Sequence, residues 1–309
     1  MAVQRETIGF VGLGNMGGPM CRRLAETGYD VVAFDLDESR VGDAVEAGAT
    51  AGASAADCAS RADLLLTSLP HPSHVVTVMR DGGALAALRS GSVWVDLTTN
   101  RKELVLELAS QAPDGVSVVD SPVTGAVDGA RTGRLTLFAG GDDAAAVDRA
   151  VDVLEHLGTV IRCGALGTGN VVKLVTNQLW FVAAAAIGEG FALGLHHGVE
   201  LDTLYRAIRE SVGDSFVARH DAPSIFAGHY DPSFTLDLCL KDLGLIDELR
   251  EGMAGPLPMT DAAHDAFAVA GDRYGRHVGE LHVAKRLEDD LGLDFRLDGD
   301  WTAPWEVTS

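Results

Sequence analysis

The chain reads as an α/β protein, with a Rossmann-type, doubly wound parallel sheet followed by an all-α C-terminal domain built on a long central helix. Three observations predict this. Short β-rich runs alternate with helical stretches through the first half, a G-x-G-x-x-G spacing leaves the first run and opens the first helix, and the strand signal stops after Gly169.

Taken in order, runs at 7–12, 30–35, 63–69, 92–97, 116–120, 135–139 and 159–163 have the continuous apolar character of strands covered on both faces. Helical stretches separate most of them, beginning with 16–27. Beyond Gly169, 170–197 reads as one long apolar helix, followed by helices near 200–212, 233–251, 259–271 and 279–291. A helix so apolar cannot be a surface element, so the later helices or another subunit should wrap it. A homodimer or homotetramer formed through this region is expected. The 309 residues suggest two domains at roughly 150 residues each. With no linker or internal repeat in view, the boundary is placed at 165, giving domains 1–165 and 166–309.

Composition narrows the function. With 24 basic and 45 acidic residues the net charge is −21, which repels nucleic acid and anionic membrane surfaces. Thirty of the acids are Asp, scattered as a solvated surface would have them. Cys21, Cys58, Cys163 and Cys239 contain no CxxC pair, which disfavours zinc or a disulfide framework and fits a reducing cytosol. The N-terminal residues carry no apolar signal core, and the longest apolar run, 179–187, falls short of the roughly 18 residues of a membrane span. A cytoplasmic protein is expected.

Gly12, Gly14 and Gly17 form the glycine spacing between the first strand and first helix. There the first glycine permits a tight turn, the second lets backbone approach a pyrophosphate, and the third allows helix to pack on sheet. The helix N-terminus favours the phosphate charge. A simple glycine-rich turn is the competing reading. Asp35 ends the second strand, 18 residues after Gly17, near the ~20-residue offset of an acid that binds an adenosine ribose. A carboxylate there repels the extra phosphate of NADP and favours NAD, although Asp37 and Arg40 blur the distinction, and a strand-end cap is the alternative.

There are 20 Arg but only four Lys: Lys102, Lys173, Lys241 and Lys285. Lysine, unlike arginine, loses its proton when desolvated. Lys173 lies on the long apolar helix one turn before Asn177, so ammonium and amide share a face. Gly164, Gly167 and Gly169 leave the start of that helix open to a ligand.

At this point the residues carry a family resemblance. GALGTGNVVKLVTN (164–177) resembles the catalytic motif of the β-hydroxyacid dehydrogenases, the group containing 3-hydroxyisobutyrate dehydrogenase. The glycine motif, DSPVTGA (120–126) and LKDLGL (240–245) match further family segments, and 69–70 and 96–99 fall where its cofactor-contacting loops occur. The resemblance spans about 7–290. It implies Lys173 as general acid/base; Thr124, Gly125, Asn177 and Lys241 at the substrate; and Gly12, Leu13, Gly14, Asn15, Met16, Gly17, Asp35, Leu69, Pro70, Thr98 and Lys241 at NAD. Thr124 stands for Ser, Ala126 for a second Gly, and Thr176 for the first of two Asn, and the Ala126 methyl narrows the substrate loop. The tail from Asp294, with Trp301 and Trp305, is longer than the family needs; packing is the expected role, with cover for a subunit surface or pocket mouth as the alternative.

The ten histidines form no HExxH or compact ligand set, so no metal is expected, and His196 and His197 sit where a cation favours a helix C-terminus. The implied function is an NAD-dependent oxidoreductase of small anionic 3-hydroxy acids or the matching semialdehydes, in which a desolvated Lys173 of lowered pKa accepts the hydroxyl proton. An imine reductase would share the layout but lack Lys173. A 6-phosphogluconate-type enzyme would want a larger helical domain and cationic phosphate ligands. A non-enzymatic cofactor-binding scaffold would have no use for Lys173.

Overall fold

The computed structural model describes residues 6–299 and 301. The chain divides into two compact units, one up to Lys173 and one from Leu174 onward.

Among the described residues of the first unit, nine strands form one sheet: β1 Thr7–Val11, β2 Asp30–Phe34, β3 Thr50–Ala51, β4 Leu64–Thr67, β5 Val93–Asp96, β6 Ser117–Asp120, β7 Val123–Thr124, β8 Leu135–Gly140 and β9 Gly158–Gly164. Their order is β3-β2-β1-β4-β5-β6-β8-β7, with β9 on β8. All pairings from β3 to β6 are parallel, as expected for a doubly wound sheet. Past β6 the sheet turns: β8 is antiparallel to β6 and β7, and β9 runs parallel to β8. The order reverses between β1 and β4, the position at which such sheets bind ligands beyond their carboxyl ends.

Alternating side chains divide this unit's interior into two cores, because successive strand residues point to opposite faces. Ile8, Phe10, Leu64, Leu66, Val93 and Val95 face one side, under helices α1 (Gly17–Glu26), α2 (Glu38–Glu46), α7 (Ala126–Thr132) and α8 (Ala144–Leu154). Val32, Leu65 and Trp94 face the other, under α3 (Ala55–Arg61), α4 (Pro72–Val76), α5 (Ala84–Ala87) and α6 (Lys102–Ser110). The run at 159–163 departs from the expectation of two covered faces: Ile161 on β9 is exposed.

Helix α9, Thr168–His196, continues into the second unit. It is followed by α10 (Leu201–Arg209), α11 (Ala222–Ala227), α12 (Leu236–Leu249), α13 (Pro258–Tyr274) and α14 (His282–Leu291), with a π-helical turn at Val217–Asp221 that sequence periodicity did not predict. With 29 residues and a mean hydropathy of 1.4 in its most apolar window, α9 is long and apolar enough to cross a membrane, which the broken apolar run at 179–187 concealed. Yet Phe181, Ala184, Ile187 and Phe191 are buried in the core that α10 to α14 build. The tail also packs: Phe295 is fully buried against Phe191, and Trp301 lies against Tyr205 and Phe226, donating its indole N–H to Leu297 O at 2.8 Å. Trp305 lies outside the described residues.

Candidate active site

The glycine turn is built as its spacing demands. Gly12 has φ +94, and a Cβ there would meet Ser68 O at 2.3 Å. A Cβ on Gly17 would meet Gly12 O at 1.9 Å. At Gly14 a Cβ would approach only the Arg40 guanidinium, at 3.2 Å, so this backbone is open to a diphosphate. Asn15 is exposed and Met16 half-buried at the start of α1. Asp35 ties the turn to β2: its carboxylate accepts the Leu13 N–H at 2.6 Å and the Asp37 N–H at 2.9 Å. Arg40 pairs with Asp37 at 3.3 Å. A dinucleotide therefore fits this cradle, with the open backbone at Gly14 and the acid of Asp35 beside it.

A second feature lies at the carboxyl ends of the central strands. Thr67, Asp96 and Asp120 are register partners across β4, β5 and β6, and Gly140 continues the row on β8. The fully buried Asp96 carboxylate accepts the Thr67 hydroxyl at 2.9 Å, the Thr98 N–H at 3.1 Å and the Asn100 amide at 3.0 Å. Trp94, also fully buried, donates its indole N–H to the Thr67 oxygen at 3.0 Å. Thr98 accepts the Leu69 N–H at 3.1 Å, so the loops at 69–70 and 96–99 are joined; Thr98 is itself buried, and Pro70 is exposed.

Asp120 caps α9. It accepts the N–H groups of Gly167 and Asn170, both at 2.7 Å, and the Asn170 amide at 3.1 Å. Burial pushes the carboxyl of Asp120 up to about 6, against these N–H donors, which pull it down. Burial likewise raises Asp96, opposed by its own donors. Lys173 is 8% exposed and lies three residues beyond Asn170. Thr124 is on β7, paired with Thr136 of β8. Gly125 has φ +122, and Ala126 follows in the left-handed region at φ +58. That conformation costs an alanine roughly 1–2 kcal/mol and a glycine nothing, which is the physical reason for a glycine at this position.

In the second unit the Asn177 amide donates to Asp242 Oδ2 at 2.7 Å, and Lys241 lies 2.6 Å from the other oxygen of that acid. Asp242 is buried; like Asp96, Asp120 and Asn170 it lies within a segment that carries the family resemblance but is not singled out there, and Asn100 lies just beyond one. The available signal was the acid that ends each of β5 and β6. Among the described residues no three His, Cys, Asp or Glu side chains group as a metal site.

Comparison with known proteins agrees with this frame. Residues 7–167 match the NAD-binding domain of 6-phosphogluconate dehydrogenase, and 167–287 match the NAD-binding region of NADP-dependent 3-hydroxyisobutyrate dehydrogenase. A 2-(hydroxymethyl)glutarate dehydrogenase of Eubacterium barkeri is 36% identical over 84% of this chain and 87% of its own. An NAD-dependent L-serine dehydrogenase of Pseudomonas aeruginosa is 34% identical over 91% and 97%. The structure of a 3-hydroxyisobutyrate dehydrogenase of Mycobacterium tuberculosis with L-serine superposes with a TM-score of 0.83 at 29% identity, covering 92% of this chain and 99% of that one. An imine reductase from Pseudomonas sp. shares the fold at a TM-score of 0.60 and 20% identity. With both family regions matched in order, the chain is a member of the β-hydroxyacid dehydrogenase family, an NAD-binding oxidoreductase of the 3-hydroxyisobutyrate dehydrogenase type.

Proposed function

We propose that the protein oxidises small 3-hydroxy acids with NAD, and reduces the matching semialdehydes in reverse, with Lys173 as general acid/base. The observation that carries this is Lys173 itself: a buried amine, able to accept a proton when neutral, in the first turns of a helix capped by Asp120, four residues before Thr124 on the substrate loop. Bound NAD supplies the hydride acceptor. The backbone of Gly12 to Gly17 and the N-terminus of α1 hold the diphosphate, Asp35 the adenosine ribose, and the loops of Leu69, Pro70 and Thr98 the nicotinamide side.

The chain's own groups then divide the substrate work. The Thr124 hydroxyl and Gly125 N–H donate to the substrate carboxylate, Asn177 adds an amide, and Lys241 contributes positive charge in a chain of −21. Lys173 takes the carbinol proton as the hydride leaves. The relatives' named substrates support the class: 3-hydroxyisobutyrate, L-serine and 2-(hydroxymethyl)glutarate all carry a hydroxymethyl group on the carbon bearing a carboxylate. Asp35 favours NAD over NADP by repelling a 2′-phosphate, and the Asp37 partner draws on the charge of Arg40. Val175, Leu179 and Leu193 are exposed along α9, an apolar face suited to a second copy of the chain, in a cytoplasmic dimer or tetramer.

The test is turnover of 3-hydroxyisobutyrate, serine, glycerate and 3-hydroxypropionate against their neutral esters, with NAD and NADP each supplied. Acids should be oxidised far better than esters, NAD should be preferred, and Thr124→Ala should raise KM chiefly for the acids. Equal turnover of esters, or a Thr124→Ala effect shared by both, would sink the carboxylate-anchoring reading.

A further inference from the structure

We propose that Asp96, Asn100, Asn170 and Asp120 are positioning residues for Lys173, forming one buried hydrogen-bonded chain that ties the loops after β4 and β5 to the first turn of α9. The inference rests on the reading of Lys173 as the acid/base.

Helix α9 lacks a cap of its own. Gly167, just ahead of the helix at φ +86, has no side chain, and the Thr168 hydroxyl donates to Ala165 O at 2.6 Å instead of accepting from the helix. An Ncap side chain normally supplies that acceptor from within the same segment. Here Asp120 supplies it from 47 and 50 residues earlier, at the end of β6. The start of α9 is therefore set by the sheet and not by its local sequence.

Asn170 is the junction. Its side-chain N–H donates to Asp120, while its side-chain oxygen accepts the Asn100 N–H at 2.7 Å. Asn100 in turn donates its amide to Asp96, whose other oxygen holds Thr98, the residue that receives the Leu69 N–H. Asp96, Asn100, Asp120 and Asn170 are all fully buried. The surroundings leave no slack: a Cβ on Gly169 would sit 2.0 Å from Phe138 O, and one on Gly140 2.6 Å from Asp120 Oδ1. Lys173 is one helical turn from Asn170, on the same face. A shift of the first turn therefore moves the base directly, and a base displaced by about 1 Å can cost on the order of 100-fold in rate. Buried networks with every member satisfied are rigid and directional, which suits this task.

The test uses Asn170→Ala and the milder Asn170→Ser in the full-length protein. We expect kcat to fall by about 10- to 100-fold for the alanine variant, with KM for NAD changed less than about threefold. The serine variant should lie between. The isotope effect on kcat, measured with substrate deuterated at the carbinol carbon, should rise as the chemical step becomes slower. In the ligand-free variants, amide hydrogen exchange should quicken at 165–175 and 97–101 and stay unchanged in β1 and β2. Folded variants of both kinds with wild-type kcat and isotope effect, or a loss confined to KM for NAD, would overturn the proposal. Should the alanine variant fail to fold, the serine variant decides alone. If Lys173→Ala remains active, the acid/base reading fails instead, a result that the Asn170 variants cannot produce.

Discussion

Asp96 and Asp120 of the N-terminal unit and Asp242 and Glu288 of the C-terminal unit are all buried, and they are satisfied in different ways. In the N-terminal unit, Asp96 and Asp120 are held by neutral donors: hydroxyls, amides and backbone N–H groups. In the C-terminal unit, Asp242 lies 2.6 Å from Lys241 and Glu288 2.8 Å from Arg296. The last pair also fixes the tail, since Glu288 accepts the Phe295 N–H at 2.9 Å and the Tyr230 hydroxyl at 2.5 Å. An ion pair balances charge, while a set of neutral donors imposes direction without cancelling the charge. On the proposed reading of Lys173, Asp96 and Asp120 thus serve geometry beside the base, whereas Glu288 holds helix α14 and the tail together.

The largest effect expected from this contrast is on the base. Lys173→Ala should lower kcat by about 10² to 10⁴, the worth of a positioned acid/base, while the protein stays folded and still binds NAD. A near wild-type kcat would mean that the neutral-donor cluster aims nothing.

Next in size is a pH effect confined to the first unit. The Asp120 carboxyl is raised from 3.8 to about 6 by burial, so the native state holds its proton more tightly than the unfolded chain does. Its contribution to stability is complete below pH 3.8 and is lost as pH rises through 6, amounting to about 2–3 kcal/mol. Urea unfolding of wild type and Asp120→Asn at several pH values isolates it. The difference in unfolding free energy should shrink by that amount from pH 4 to 7, and a pH-independent difference would remove the assignment.

In the second unit, Glu288→Gln discards the charge but keeps an acceptor. Because Arg296 is partly exposed, the expected loss is about 2 kcal/mol, below that of a fully buried pair, with kcat unchanged. Denaturant titration checks the first part and steady-state assay the second. Smallest of all, Ala126→Gly should stabilise by at most about 1 kcal/mol, because relief of the left-handed alanine is offset by glycine's larger unfolded-state entropy. A destabilised glycine variant would mean that the Ala126 methyl makes contacts outweighing its strain.

Much of the N-terminal fold was legible because its signals are local. Most strands from 7 to 120 and the glycine turn each announce themselves within a dozen residues. The turn to antiparallel pairing at β8 was not legible, since it depends on which distant strand β8 meets. β3 and β7 are two residues each, too short for any period. Asp96 and Asp120 fell within segments that carry the family resemblance, yet only strand register makes them neighbours. Asp242 stood next to a lysine already singled out, yet its burial and its grip on Asn177 come from tertiary packing.

The row Thr67–Asp96–Asp120–Gly140 crosses the sheet beside the loop at 123–126 without including any residue of it. On the proposed reading, the residues that set the base and the loop that grips the acid are therefore separate targets for mutation. A replacement at Thr124, Gly125 or Ala126 would, on that reading, alter what is gripped, and none of these residues takes part in the side-chain hydrogen bonds of the row. Such a frame can drift from one hydroxy acid to another by single steps, each intermediate retaining its catalytic alignment.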